Sequence, residues 1–231
     1  MASMINHVRN TVLTVLNKEN RGFLTPTQFN YYAKYAQQLI FDDYFNEIDK
    51  YRTLDNNRRI HDMGDILSRL EQKIEKFIKV STQSEVSGYY AQPDDLYKIQ
   101  NITYEGKIVE HLPSTRKKYV TLSSVAGPSS EYPSYCTEGV YLYLYPTDLD
   151  EDIKITYIRK PKDPKWTYRT IGENPVFNVA ASDYQDFEIF PDDESRLITE
   201  ILKLTGVTLR EPQITQVGTG LEQSEEQRDT V

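Results

Sequence analysis

Apolar residues recur every three or four positions over 4–17, where Ile5, Val8, Val12, Leu13 and Leu16 share one stripe. That period predicts a short amphipathic helix. A loop over 17–22 leads to a second predicted helix with a full set of start signals. Thr25 stands at the N-cap, Pro26 at the first helical position, and Gln28 three residues after the cap, as in a capping box. Leu24 and Phe29 are spaced as a hydrophobic staple. Phe29, Tyr32, Ala33, Ala36, Leu39, Ile40 and Tyr44 form one broad face that runs to about Tyr51, and the two alanines leave room for another helix. The polar stretch 54–64 breaks the pattern. A third helix is predicted over about 64–79, with Ile66, Leu67, Leu70, Ile74, Phe77 and Ile78 as its stripe and alternating charges opposite.

The texture changes at Ser81. Turn signals at 92–95, 105–106, 127–130 and 148–152 separate strand-like runs at Leu96–Tyr104, Lys107–Leu112, Val140–Tyr145 and Ile153–Ile158. Tyr104-Glu105-Gly106-Lys107 reads as a tight hairpin. In Val140–Tyr145 the tyrosines alternate with Val140, Leu142 and Leu144, so both faces are partly apolar and the strand should be central or covered on both sides. Pro161 and Pro164 flank Trp166. A last helix is expected from near Pro191, with Asp192, Asp193 and Glu194 at the positive end of its dipole and Gly206 as its stop. After Pro212 the chain is polar, and in isolation such a segment should be disordered.

The expected fold class is therefore α+β. N- and C-terminal helices pack as a helical bundle, an antiparallel β-sandwich or small barrel is inserted between them, and an extended tail follows. The expected divisions are a helical region 1–80, a tyrosine-rich β domain 81–170, a return loop and helix 171–212, and a tail 213–231.

Composition sharpens this picture at three points. Of the 18 tyrosines, 12 fall between Ser87 and Tyr168. Tyrosine joins apolar area to a polar tip and suits a surface that is wet in one state and buried in another, although it also lines ordinary strands. The net charge of −8 argues against binding dominated by nucleic-acid phosphates. The one cysteine, Cys136, excludes an intramolecular disulfide framework and any multi-cysteine zinc site. Residues 1–8 lack a secretory pattern, and no apolar run approaches a membrane span, so no membrane partner is expected.

Candidate chemistry is sparse. Asn17 to Gln28 echoes a calcium loop, with Gly22 in sixth place, but first place is neutral Asn17, fifth is Arg21, and twelfth is Gln28 where calcium takes a bidentate Glu. His7, His61 and His111 lie far apart, and Cys136 reads as a half-buried structural thiol. The pair Asp94-Asp95 reads as a turn and Asp192-Asp193 as a helix start. The basic clusters Arg58-Arg59, Arg116-Lys117-Lys118 and Arg159-Lys160 with Lys162 read as solvated surface. No catalytic residue, cofactor or metal is expected. The residues proposed to meet a neighbouring subunit are Tyr132, Tyr135, Tyr141, Tyr143 and Arg159, because Tyr and Arg are enriched at interfaces.

The stretches "LNKENRGFLTPTQFNYYAKYAQQLIFDDYF", "YPSYCTEGVYLYLYP", "ITYIRKPKDPKWTY" and "FPDDESRLITEILKLTGVTLREP" resemble the podovirus-type head-to-tail connector proteins, specifically the ring proteins of crAss-like gut phages. The resemblance implies N-terminal helices, an inserted β domain, a final helix and a loose tail. It implies a non-enzymatic virion subunit in the phage neck, made in the host bacterial cytoplasm. It also implies a ring of many copies, twelve in the expectation, stacked below the portal around the channel through which the genome is ejected. The implied partners are copies of itself, the portal protein and other neck or tail ring proteins; contact with DNA in the channel and with tail fibre proteins stays open. The alternatives are a tail or fibre-anchoring subunit and, from another class, a tail-associated hydrolase.

Calcium should leave stability unchanged. A specific site at a hundred times its Kd would add about 2.7 kcal/mol. Melting curves in millimolar calcium and in chelator are expected to coincide, and an upward shift abolished by changing Asn17 and Glu19 would contradict this reading.

Overall fold

The computed structural model describes residues 3–18, 24–56, 64–123, 127–172 and 174–208. The predicted tail 213–231, residues 19–23 of the calcium-like loop, His61 and the Arg58-Arg59 cluster lie outside the described residues. The fold is mixed α+β. Among the described residues there are five α-helices and open, largely antiparallel sheets, with no closed barrel. The chain divides into two compact units. One is the chain up to Lys73 with the chain from Pro161 on; the other is Ile74–Lys160. Residues 74–80 thus go with the strands, and 161–170 with the helices.

In the first unit α1 spans Met4–Lys18, α2 spans Pro26–Asn56, and α3 spans Gly64–Glu75, ending just past the unit boundary. The α1 stripe is buried at Ile5, Val8, Val12 and Leu16. The capping box at α2 is formed in both directions. Gln28 N–H donates to Thr25 Oγ1 at 3.2 Å, and Thr25 N–H donates to Gln28 Oε1 at 3.1 Å. Leu24 and Phe29 are both buried. The first turn of α1 is capped from far along the chain, since the two oxygens of Asp186 accept from the backbone N–H groups of Met4 and Ile5.

A 3₁₀ turn at Pro191–Asp193 leads into α5, Glu194–Thr208, which packs on α1 and α2. Asp193 does more than face a helix dipole. It is buried, accepting from the Tyr44 hydroxyl at 2.5 Å and from Lys73 Nζ at 2.8 Å. Burial, and then the charge of Asp193, raise the Tyr44 phenol well above its ordinary pKa. Gly206 does not end α5. It is buried beside Thr205, and packing carries the helix through it to Thr208.

In the second unit one sheet has the order β1-β8-β3-β4, where β1 is Ile78–Gln83, β3 Leu96–Tyr104, β4 Lys107–Ile108 and β8 Ile153–Arg159. The other has the order β2-β7-β6-β5, with β2 Tyr90–Ala91, β5 Glu110–His111, β6 Ser134–Glu138 and β7 Tyr141–Tyr145. The third predicted helix ran too far. Ile78 leaves the helical stripe because Ile78–Gln83 is rich in β-branched residues and pairs with β8 along six positions. The expected strand Lys107–Leu112 is two short strands. Val109 is the crossing point: its N–H bonds Ile102 in the first sheet, while the N–H of Glu110 bonds Pro133 beside the second. The 104–107 hairpin turns through Glu105 and Gly106, both at positive φ, as a two-residue primed turn requires.

The pair β5–β6 is parallel and so needs a crossover. That crossover carries α4, Ser114–Thr121, a helix absent from the sequence reading, with no fully buried residue of its own. Inward side chains of both sheets, among them Ile102, Tyr104, Leu142, Leu144, Ile155 and Tyr157, form one core cluster. A separate hairpin of β9, Tyr168–Ile171, and β10, Asn174–Phe177, belongs to the first unit.

Two substitutions separate local from tertiary stabilisation. Thr25→Ala should lower stability by about 1 kcal/mol through the lost cap. Asp193→Ala should lower it by about 3 kcal/mol, because it leaves Lys73 and the Tyr44 hydroxyl without their partner. Denaturant unfolding of the two variants measures both, and an Asp193→Ala effect no larger than that of Thr25→Ala would contradict the assignment.

Candidate interaction surfaces

Strand parity sorts the tyrosines. β7 lies between β2 and β6, as expected of a central strand. Leu142 and Leu144 point into the core, and Tyr141, Tyr143 and Tyr145 point the other way. On β6 the register sets Tyr135 opposite Leu144 and Cys136 opposite Tyr143. Tyr135 is therefore a core residue at 7% exposure, and the expectation that it meets a neighbour fails for that reason. Tyr90, Tyr104 and Tyr157 are core residues too, with hydroxyls that reach polar partners. Tyr90 donates to the Glu151 carbonyl at 2.8 Å and Tyr157 to Asp95 at 2.6 Å. Burial first, then Tyr104 and nearby carboxylates, push the Tyr90 phenol up to about 12.

On the outer face Tyr89 packs against Tyr141 and Tyr143, with ring centroids 4.4 and 6.3 Å apart, and Tyr141 keeps 40% of its surface exposed. The other end of this face is covered. α4 packs on β6 and sends Lys117 over the rings of Tyr143 and Tyr145, where it also pairs with Glu138. Hydrogen bonding to Glu138, then to Tyr145, holds the Lys117 ammonium above the ordinary lysine range. Cys136 lies on this covered side, fully buried rather than half-buried, and burial raises its thiol pKa.

The remaining predicted residues are elsewhere. Tyr132 is 75% exposed in the loop before β6, and Arg159 ends β8 in the other sheet, over the Phe77 ring with Nη1 donating to the Lys160 carbonyl. The structure thus brings together Tyr141 and Tyr143, adds Tyr89, and leaves Tyr132 and Arg159 apart from them. Tyr89 was missed because its partner is defined by pairing across the sheet, which its own sequence position does not reveal.

The first unit carries an open groove of about 510 Å³, lined by Asn30, Tyr31, Lys34, Asp163, Trp166 and Tyr168 among others. Its charges are balanced: Lys34 pairs with Asp163, and Lys165 with Asp183. The acidic pairs weighed for acid–base chemistry hold structure instead. Asp193 bridges Tyr44 and Lys73, and Asp95 accepts from Tyr157 and Lys79. Among the described residues no group of three or more His, Cys, Asp or Glu is placed to hold a metal, and no helix is long and apolar enough to cross a membrane. No protein-family model matches the chain, and no curated protein matches it.

Asp95 supplies a pH test. Burial alone would raise its carboxyl, but hydrogen bonds from the Tyr157 hydroxyl and the Lys79 ammonium reverse this and hold it below its ordinary value. A depressed folded pKa adds stability above the unfolded value, near about 3.9, and loses it as pH falls through the folded value. The melting difference between wild type and Asp95→Asn should be constant from about pH 7 to 5 and shrink below about pH 4. A difference unchanged in acid would show that Asp95 acts only as a neutral acceptor.

Proposed function

We propose that this chain is a non-catalytic structural subunit that assembles with copies of itself into a ring in the neck of a tailed phage, linking portal to tail and lining the ejection channel. The reading rests on the connector-like phrases in the sequence and on one feature of the strand unit. Tyr89, Tyr141 and Tyr143 form an aromatic cluster outside the core, tight among themselves, with Tyr143 partly covered by Lys117 and Tyr141 still wet. Rings held in place by one another lose little freedom on binding, and their hydroxyls keep partners when water leaves. In this reading the two open sheets are the halves of a sandwich whose outer face meets a neighbour, and α1, α2 and α5 form the helical bundle of the ring body. Tyr132, at the edge of the strand unit, belongs to the rim. Carboxylates bound to lysines or phenols are poorly placed for acid–base work, which disfavours the hydrolase alternative.

Tyr141→Ala should weaken assembly by about 1–3 kcal/mol and leave the subunit's melting nearly in place. Tyr135→Ala, a core truncation, should instead lower stability by about 3 kcal/mol or more. Sedimentation of each purified variant beside its melting curve separates the two. A Tyr141→Ala variant that melts early and assembles normally would sink the interface reading.

A further inference from the structure

Two surfaces of the strand unit are opposite in charge, and neither is met among the described residues. The first is the outer face of α4. Arg116, Lys118, Tyr119 and Leu122 are exposed, Tyr119 to 81% and Leu122 to 78%. At about 100° per residue, Lys118, Leu122, Tyr119 and Arg116 follow one another around the helix and its C-cap. Two apolar side chains thus stand between two cations. Lys117, on the inner face, is already engaged by Glu138. Side chains as exposed as Tyr119 and Leu122 contribute little to the fold.

The second surface is a recess of about 340 Å³, lined by buried Tyr90 and Leu144, half-buried Leu149 and Glu85, and exposed Asp148 and Asp150. The loop that carries these aspartates is pinned from beneath. The Tyr90 hydroxyl donates to the carbonyls of Leu149 and Glu151 at 3.4 and 2.8 Å, and Glu151 N–H donates to the Tyr104 hydroxyl at 3.4 Å. The carboxylates converge on the recess, since Glu85, Asp150 and Asp152 add to burial and Tyr104 in raising the Tyr90 phenol. Asp148, Asp150, Glu151 and Asp152 pair with no described cation, and Arg116 and Lys118 with no described carboxylate. Four like charges within five positions of a fixed loop repel one another, and a cation from outside relieves that repulsion.

We infer that α4 of one copy docks on this recess in a second copy of the chain, with Tyr119 entering it and Arg116 and Lys118 meeting Asp148 and Asp150. Shape and charge agree: an aromatic side chain flanked by cations faces an apolar hollow flanked by carboxylates. Copies with a net charge of −8 repel one another at a distance, so they associate where local charges are opposed in sign. The two surfaces differ, so each copy offers one of each, and copies can be added head to tail until a ring closes. Both chain neighbours of Tyr89, namely Gly88 and Tyr90, line the recess, which sets it beside the wet tyrosine cluster. The inference rests on the ring reading for the presence of a second copy and adds the contact that joins the copies.

The test uses the full chain at fixed ionic strength. One variant carries Arg116→Glu and Lys118→Glu, a second carries Asp148→Lys and Asp150→Lys, and a third carries Tyr119→Ala. Self-association by sedimentation and thermal melting are read for each. Every variant should associate about tenfold or more weakly than wild type and melt close to it. The aspartate variant should do so even though its net charge is smaller. An equimolar mixture of the two charge variants should associate again, because the intact recess of one meets the intact α4 of the other. A mixture that stays dissociated would overturn the inference, and so would association lost only in variants that melt early. Loss of binding to a short DNA duplex in the α4 charge variant, with self-association intact, would assign the helix to nucleic acid and overturn the second-copy occupant. Association lost in Tyr141→Ala but intact in both charge variants would sink this inference and leave the ring reading standing. A wild type that never self-associates would sink both.

Discussion

Trp166 has to hold a segment of chain that returns only after the whole strand unit has been laid down. Closing so long a loop is entropically unfavourable, and the segment Pro161–Trp166 has no regular structure to brace it. The indole supplies the brace. It is 2% exposed, bonded to Asn6 on α1, covered by Arg9, and stacked with Tyr168 and Phe177 at ring distances of 5.7 and 5.9 Å. Asn30 on α2 takes both backbone groups of the same residue. Gln37, about two turns further along the same face of α2, bonds the Lys162 carbonyl and the Glu188 N–H. These bonds join α1 and α2 to the returning segment.

The polar side chains in this unit follow from that closure. Among the described residues the returning segment has one isolated bridge, Lys165 with Gln185, and its other buried backbone groups must find acceptors and donors elsewhere. Here Asn30 and Gln37 of α2 meet several of them, and Asp186 answers in the other direction by capping α1. Asp193 does the same for charge, tying Tyr44 and Lys73 to the start of α5. Arg9 is the exception within this pattern, its Nε buried by the same closure yet without a hydrogen-bond partner.

In the strand unit one residue type does two jobs, and only the pleat decides which. Tyr90, Tyr104, Tyr135 and Tyr157 face the shared core, whereas Tyr141 and Tyr143, a few residues away, face outward. Because side chains alternate, a shift of one residue in register would exchange the two sets. The crossover that a parallel pair demands then places α4 over part of the outward face, so that Tyr143 and Tyr145 are covered and Tyr141 is left wet.

What the sequence determined by itself is what depends on neighbours along the chain. The α1 stripe, the Thr25–Gln28 cap, the bounds of β3, the tight turn at Glu105-Gly106 and the α+β class were all legible, because helix period, cap chemistry and turn residues act within a few positions. What depends on distant partners was not. Ile78 could extend a helix or open a strand until β8 lay beside it, and Lys107–Leu112 read as one strand until Val109 passed from one sheet to the other. Asp193 looked like a charge for a helix end until Tyr44 and Lys73 closed on it. The candidate surface divides the same way. Tyrosine enrichment was visible, but exposure is a property of the packed sheet, so Tyr135 went to the core and Tyr89 joined Tyr141 only once the strands were paired.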